Sequence, residues 1–370
     1  MMATFDNPFT PTFGEIPLHL AGRDEVIREL TLAFKSSNRR PELSTIFSGA
    51  RGTGKTALLS FLAERAAIYN WIPVGTTALP GMLEDIEIQT RRKCSHLLES
   101  ESGARLASVG VPQILEVGFE QPATAQSNWR SRMTDMLEQL EAHDAGLLIT
   151  VDEIDPALDE MILLAATYQH FVREGHRVAL LMAGLPQHIS ALLSNKTASF
   201  LRRAQQFDLS RISDCEVEHA LRRTISDQGR EIGASDLDAC VHAIQGFPFL
   251  LQLVGYHAWE QHPSCKTISS EDCIMGVQAA QHEMERRILE ATYYDLSQGD
   301  IRFLKAMLSD ARESSNADIV ERLDRSPAQV SHYRRRLIDA GIIGERRRGV
   351  VGFDMPFFRE FLQEKLAGDR

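Results

Sequence analysis

The sequence predicts an α/β fold: a parallel sheet wound with helices, then a helical region, then a C-terminal helix-turn-helix with a hairpin wing. Three observations carry this expectation. The octet Gly49-Ala-Arg-Gly-Thr-Gly-Lys-Thr56 sits between a β-branched strand, "LSTIF", and a helix in which Leu58, Leu62 and Ala66 repeat at i+4. Two later runs, "GLLITV" from Gly146 and "VALLMAGL" from Val178, are almost continuously apolar, as strands buried on both faces of a parallel sheet are. Residues 296–370 carry 14 Lys+Arg against 12 Asp+Glu, whereas residues 1–295 carry 26 against 39, so a mildly basic tail follows an acidic body.

Taken in order, strands are expected near 44–48, 71–75, 146–151, 177–183 and 205–209 with helices between them, which makes a doubly wound sheet of about five strands. The stretch Ala104 to Glu120 alternates weakly around Gly110-Val-Pro112 and reads as an inserted hairpin. The 370 residues suffice for two to three domains, and 43% apolar with 25% charged residues is ordinary for a soluble globular chain. A net charge of −11 excludes a protein that coats nucleic acid with its whole surface but leaves room for a local basic patch. The five cysteines, Cys94, Cys215, Cys240, Cys265 and Cys273, form no C-x-x-C pair and have no His at zinc spacing. Reduced thiols in the cytoplasm are the expectation. The opening "MMATFDNPFTPTFGEIP" has no basic region leading into an apolar one, which predicts no signal peptide. The longest apolar runs fall short of the ~18 residues of a membrane span, so no membrane partner is expected.

The octet matches G-x-x-x-x-G-K-[ST] at every fixed position. Gly49, Gly52 and Gly54 let the backbone bend so that successive N–H groups point inward at phosphate oxygens, and the helix N-terminus adds positive partial charge. Lys55 is expected to reach the β- and γ-phosphates and the Thr56 hydroxyl to ligate Mg²⁺. Thr53 and Ala57 complete the set of loop residues expected on the nucleotide. The apolar strand Leu147 to Val151 ends in Asp152-Glu153; Asp152 is assigned to Mg²⁺ and Glu153 to polarising the attacking water. Asp155 has the plainer expectation of a helix cap with Pro156 in the first turn.

In the tail, "DRSPAQVSHYRRRLIDAG" begins with Ser326 as N-cap and Pro327 at the first helical position, and ends at Gly341. A helical wheel puts Val330, Tyr333, Leu337 and Ile338 on one face and Gln329, His332, Arg335 and Arg336 on the other, with Arg334 at the edge. "IIGERRRGVVGF" reads as a hairpin with Arg346, Arg347 and Arg348 at its tip. A winged helix of this kind presents its second helix to the major groove and its wing to phosphates, so Gln329, His332, Arg335, Arg336 and Arg346 to Arg348 are the candidate contacts with double-stranded DNA. The alternative is a winged helix used for protein packing, with solvated arginines.

In this order of parts the chain resembles the AAA+ ATPases, nearest their origin-recognition-like and STAND-type archaeal branches. "IPLHLAGRDEVIREL" resembles the family's N-terminal G-R-[ED] box, which implies that Gly22 and Arg23 contact the nucleotide. "GARGTGKT" and "ITVDEID" match its Walker A and Walker B motifs. Arg202 or Arg203 stands where the family has its arginine finger, and "GFPFLLQLVGYHAW" resembles the G-x-P motif of the helical lid, which brings Pro248 to the nucleotide. Two departures imply slow turnover. The first sensor position reads Ala183-Gly184-Leu185-Pro186 instead of a polar residue, and Phe247, Phe249 and Leu250 fill the neighbourhood of the second sensor arginine. The resemblance implies an AAA+ core over 1–210 (box about 15–35, inserted hairpin about 104–120), a helical lid over 211–295 and a winged helix-turn-helix over 296–370. The function implied is a slowly hydrolysing, ATP- and Mg²⁺-dependent switch that binds DNA and works as a homo-oligomer or with a partner protein. The alternative is a STAND-like signalling ATPase whose winged helix is a protein-facing clamp. A small-molecule kinase is disfavoured, because nothing resembles a phosphoacceptor pocket and the tail would go unused.

Overall fold

The computed structural model describes residues 5–12, 14–102 and 122–368. Its first unit runs α1 (Asp24–Lys35), β1 (Ser44–Ser48), α2 (Lys55–Ala67), β2 (Trp71–Thr77), α3 (Met82–Ser102), α4 (Pro122–Ala142), β3 (Gly146–Asp152), α5 (Asp159–Glu174), β4 (Val178–Gly184), α6 (Pro186–Ser194) and β5 (Gln205–Asp208). The five strands form one parallel sheet in the order β2-β3-β4-β1-β5. Every residue of β4 and all of β3 but Asp152 is buried, which is why these strands read as apolar runs: helices cover both faces. One face packs under α3 to α6 and the other under α1 and α2. The hairpin expected over 104–120 lies outside the described residues.

A helical unit follows: α7 (Asp214–Asp227), β6 (Glu231–Ile232), α8 (Ala234–Ile244), α9 (Pro248–Gln261), β7 (Thr267–Ile268) and α10 (Ser270–Met284), which passes through a π-helical turn into α11 (Glu290–Tyr294). Its starts are written in the sequence. Ser213 and Glu216 form a reciprocal capping box at α7, and Ser269 and Asp272 form one at α10. The last unit is α12 (Gln298–Met307), β8 (Glu313–Ser315), α13 (Asn316–Leu323), α14 (Pro327–Asp339), β9 (Ile343–Arg347), β10 (Val350–Phe353) and α15 (Phe358–Gly368), with an antiparallel sheet in the order β8-β10-β9. Buried apolar residues of the helical unit and of this last unit form one continuous cluster, from Ile212 through Trp259 and Phe303 to Leu362.

The closest helix packing in that cluster is α9 against α10, where a Cβ on Gly276 would come within 2.6 Å of Ala258 N. Gly276→Ala should therefore destabilise the protein by about 1–2 kcal/mol: overpacking costs of order 1–3 kcal/mol and outweighs the ~1 kcal/mol that Ala gains in a helix. A lowered denaturant midpoint by far-ultraviolet circular dichroism would show it; a raised midpoint would mean the helices can separate without loss.

Candidate nucleotide site

The loop after β1 lies at the carboxyl end of the sheet, between β4 and β5. Gly52 and Gly54 have φ of 79° and 83°, the left-handed backbone that glycine alone adopts without strain. Lys55 folds back across the loop and donates from Nζ to Gly49 O at 2.9 Å and Ala50 O at 2.8 Å. Burial pushes its amine down to about 8, while Asp152 and Glu153 hold it up. The Thr56 hydroxyl donates to Asp152 Oδ2 at 2.5 Å, so the two hydroxyl and carboxylate oxygens assigned to Mg²⁺ meet across the first turn of α2. Among the described residues no three His, Cys, Asp or Glu side chains gather into a metal cage. A hard-oxygen pair fits Mg²⁺, which keeps most of its shell as water and substrate phosphate. Glu153 has a φ of 52° and its N–H donates to Asp152 Oδ1 at 2.9 Å. A positive φ is an uncommon conformation for glutamate.

The first sensor position is apolar and packed. Ala183 O accepts from Ile154 N at 3.0 Å, Gly184 O accepts from Gly49 N at 3.3 Å, and a Cβ on Gly184 would lie 3.1 Å from Ile154 Cβ. The G-x-P segment sits directly on the loop: Phe249 N donates to Gly52 O at 3.2 Å, a Cβ on Gly52 would meet Phe247 Cε1 at 2.8 Å, and Pro248 opens α9 beside Gly54.

Arg23, expected on the nucleotide, is engaged by backbone of the loop and its neighbours. Its buried guanidinium donates to Gly22 O at 3.4 Å, Thr53 O at 3.3 Å and Ser210 O at 3.0 Å. Burial lowers its pKa, with Glu216 and then Asp208 opposing that. The charged head points at backbone carbonyls of three segments; it braces the site. Gly22, with a φ of 64°, leaves no room for a Cβ against Ile212 Cγ2 at 2.3 Å. Arg202 donates from Nε to Leu193 O at 2.8 Å and so caps the C-terminal end of α6, and Arg203 is exposed. Among the described residues neither contacts Lys55, Asp152 or Glu153.

In the last unit, Gln329, His332 and Arg335 are exposed on α14, and Arg348 is exposed at the β9–β10 turn. Three of the expected DNA contacts also pair with carboxylates of the same unit, and two of them, Arg346 and Arg347, are exposed. Arg336 Nη2 bonds Asp300 Oδ2 at 2.7 Å, and Asp300 is 1% exposed. Arg336 therefore ties α14 to α12 with its side chain partly exposed. Arg346 bonds Asp354 at 2.8 Å and Phe353 O at 2.8 Å, and Arg347 bonds Glu313 at 2.6 Å, so both brace the small sheet. The sequence reading also missed how this unit meets the loop. Arg51 pairs with Asp295 at 2.9 Å, and a Cβ on Gly341 would come within 2.4 Å of Ala50 Cβ. A cavity of about 380 Å³ lies between them, lined by Gly49, Asp208 and Arg211 on one side and by Asp339 and Asp354 on the other.

Residues 19–181 match the family model described as an AAA ATPase domain. This region is thus similar to AAA ATPase domains. Residues 286–362 match a model described as a domain of unknown function (DUF8462). No curated protein matches the sequence. Among solved structures, the chain is similar in fold to the Walker-type ATPase of Pyrococcus abyssi, with a TM-score of 0.63 at 14% identity over 93% of this chain and 96% of that one. It is also similar to the ORC2 protein of Aeropyrum pernix, solved as ADPNP and ADP complexes, with a TM-score of 0.51 at 15% identity over 99% of this chain and 100% of that one. The fold is thus of the α/β AAA+ class, like the folds of these two proteins, and no helix among the described residues is long and apolar enough to cross a membrane.

The Arg336–Asp300 pair gives a test of the corrected assignment. Arg336→Ala should cost about 2–3 kcal/mol of stability, less than the 3–5 kcal/mol of a fully buried pair because the arginine is half exposed. Unfolding in urea measures it; unchanged stability would return Arg336 to the solvent face.

Proposed function

We propose that the chain is an ATP- and Mg²⁺-dependent molecular switch that hydrolyses ATP slowly and whose C-terminal unit is a winged helix-turn-helix that binds double-stranded DNA. The observation that carries the nucleotide half is the Thr56–Asp152 contact at 2.5 Å beside the glycine loop, with Lys55 at its centre. The nucleotide complexes of the Aeropyrum ORC2 protein support the same reading. Bound Mg²⁺ supplies charge neutralisation at the phosphates. The rest falls to the protein. Gly49, whose N–H is held by Gly184 O, starts the loop; Gly52, Thr53, Gly54 and Ala57 offer backbone N–H groups to phosphate oxygens, Lys55 turns its amine from Gly49 O and Ala50 O towards them, and Thr56 and Asp152 hold the metal. Glu153 accepts the proton of the attacking water. The apolar Ala183-Gly184 corner has no group to orient that water, which supports slow turnover. Arg202 and Arg203 remain the finger candidates, acting on a site in a neighbouring subunit; Gly22 and Pro248 bound the nucleoside side, with Arg23 as brace.

Lys55→Ala should abolish ATP binding, read as loss of nucleotide-induced thermal stabilisation. Glu153→Gln should retain that stabilisation and lose phosphate release; unchanged turnover would remove Glu153 from the role. The Lys55 amine, near 8 in the free protein, is raised by nearby phosphate charge. Binding at pH 8–9 should therefore take up a proton, and affinity should fall as pH rises through that range. Calorimetry in buffers of different ionisation enthalpy would detect the uptake.

For the DNA half, the order helix, strand, two helices and hairpin, together with exposed Gln329, His332, Arg335 and Arg348, supports duplex binding. The rival reading, a protein-facing clamp, is favoured by Arg336, Arg346 and Arg347 pairing with carboxylates of their own unit and by the Gly341–Ala50 contact. Salt dependence separates them. Duplex binding should weaken with salt, and removal of Arg335 and of Arg348 should each lower the log–log slope by roughly 0.9 if each meets a phosphate. Changes at Gln329 and His332 should alter sequence preference instead. No duplex binding at low salt decides for the clamp.

A further inference from the structure

The first residues of the chain are far from idle. Phe5 to Pro11 lie across the helical unit some 250 positions later. Phe9 is 2% exposed and belongs to that unit's apolar cluster; its ring stands edge-on to Trp259 and fills the space where a Cβ on Gly255 would approach to 2.3 Å. Phe5 packs edge-on to the same indole, accepts at its carbonyl from Trp259 Nε1 at 3.1 Å, and donates from N to Pro263 O at 3.0 Å. Asn7 Nδ2 donates to Tyr256 O and to Glu260 Oε1, Thr10 N donates to Gln252 Oε1 at 3.0 Å, and Pro11 O accepts from Arg287 Nη1 at 2.7 Å. The backbone polar groups of an extended segment, which need partners when covered, thus find them on α9 and the turn after α10.

The same segment then runs towards the core. His19 Nε2 pairs with Asp227 Oδ2 at 2.9 Å on α7, Gly22 abuts Ile212, and Arg23 reaches Thr53 O in the phosphate loop and Ser210 O where β5 leads into α7. From there α1 belongs to the apolar cluster of the sheet. The helical unit is therefore joined to the core by two chain crossings: the connection at Ser210 to Ser213, and the N-terminal segment, buried at one end in the lid and at the other in the core. A rotation of the lid about Ser210 to Ser213 has to strip Phe9 from its pocket or break the Arg23 contacts.

We propose that residues 5–23 are a tether that holds the helical lid against the phosphate loop, with Phe9 as its lid anchor and Arg23 as a positioning residue at its core end, and that the tether sets how long a nucleotide is retained. The second part rests on the nucleotide reading above; the first does not. The test uses the full chain without residues 1–11. In the absence of nucleotide, amide hydrogen exchange in α9 and α10 should quicken at least tenfold while β3 stays unchanged, and a synthetic peptide of residues 1–12 should reverse the effect. Dissociation of a fluorescent ATP analogue should quicken at least fivefold. The milder Asn7→Ala variant, which leaves both aromatic anchors in place, should shift both readings about threefold in the same direction, and it carries the test if the truncated chain does not fold. Unchanged exchange in α9 and α10 overturns the tether. Faster exchange with unchanged dissociation overturns its role in retention. Faster exchange in a protein whose intact form does not bind the analogue upholds the tether and sinks the nucleotide reading, and the retention role with it.

Discussion

The arrangement depends on one buried cation. The Arg23 guanidinium draws three backbone carbonyls together, from the N-terminal segment at Gly22, the phosphate loop at Thr53 and the exit of β5 at Ser210. A cation without water has to be satisfied or it is expelled, and carbonyls are rigid parts of the backbone, so satisfying the charge fixes where three chain segments run. A planar group with several donors in a fixed fork can do this; a lysine, with one point of charge, cannot reach the same three acceptors. The loop, the lid and the N-terminal segment are in register because they answer to the same side chain.

A second economy concerns the arginines of the C-terminal unit. Arg322 is held by Asp310, which its guanidinium pulls down to about 2, and Arg334, Arg336, Arg346 and Arg347 each face a carboxylate of the same unit. The excess of positive charge over residues 296–370 is small, and most of it is consumed in bracing three short helices and a three-stranded sheet. Outward without a carboxylate partner named above stand Gln329, His332, Arg335 and Arg348, while Arg346 and Arg347 are exposed beside theirs. An interface of this kind would owe selectivity to few groups and little to general attraction.

Much of this was legible in the sequence, for physical reasons that differ by element. β3 and β4 were readable because burial on both faces leaves almost no polar positions, and the loop because glycine at fixed spacing has few other uses. Asp152 followed from its place at the end of an apolar run, and it does meet Thr56. The strand order was not readable, since crossovers leave no mark on local pattern. The direction of Arg23 was not either: residue type and motif point to a ligand, but burial against Thr53 and Ser210 turns the group inward. A helical wheel placed Arg336 with the solvent face because it knows nothing of Asp300, 36 positions away. The Ser297-x-x-Asp300 capping pattern was present in the sequence as a hint that Asp300 sits at a helix start and inside. The N-terminal aromatics lay in a stretch without period, and their partner Trp259 lies some 250 positions away.

The continuous apolar cluster shared by the helical unit and the C-terminal unit has a mechanical consequence. Because the cluster runs through both, the two cannot slide past each other without exposing packed side chains, which favours their moving together. α14 lies in the second of them, its last residues against Ala50 and its first roughly 20 Å further out. A small shift of Ala50 against the end of α14 would therefore be carried along the helix, enlarged by its length, to the exposed first turn.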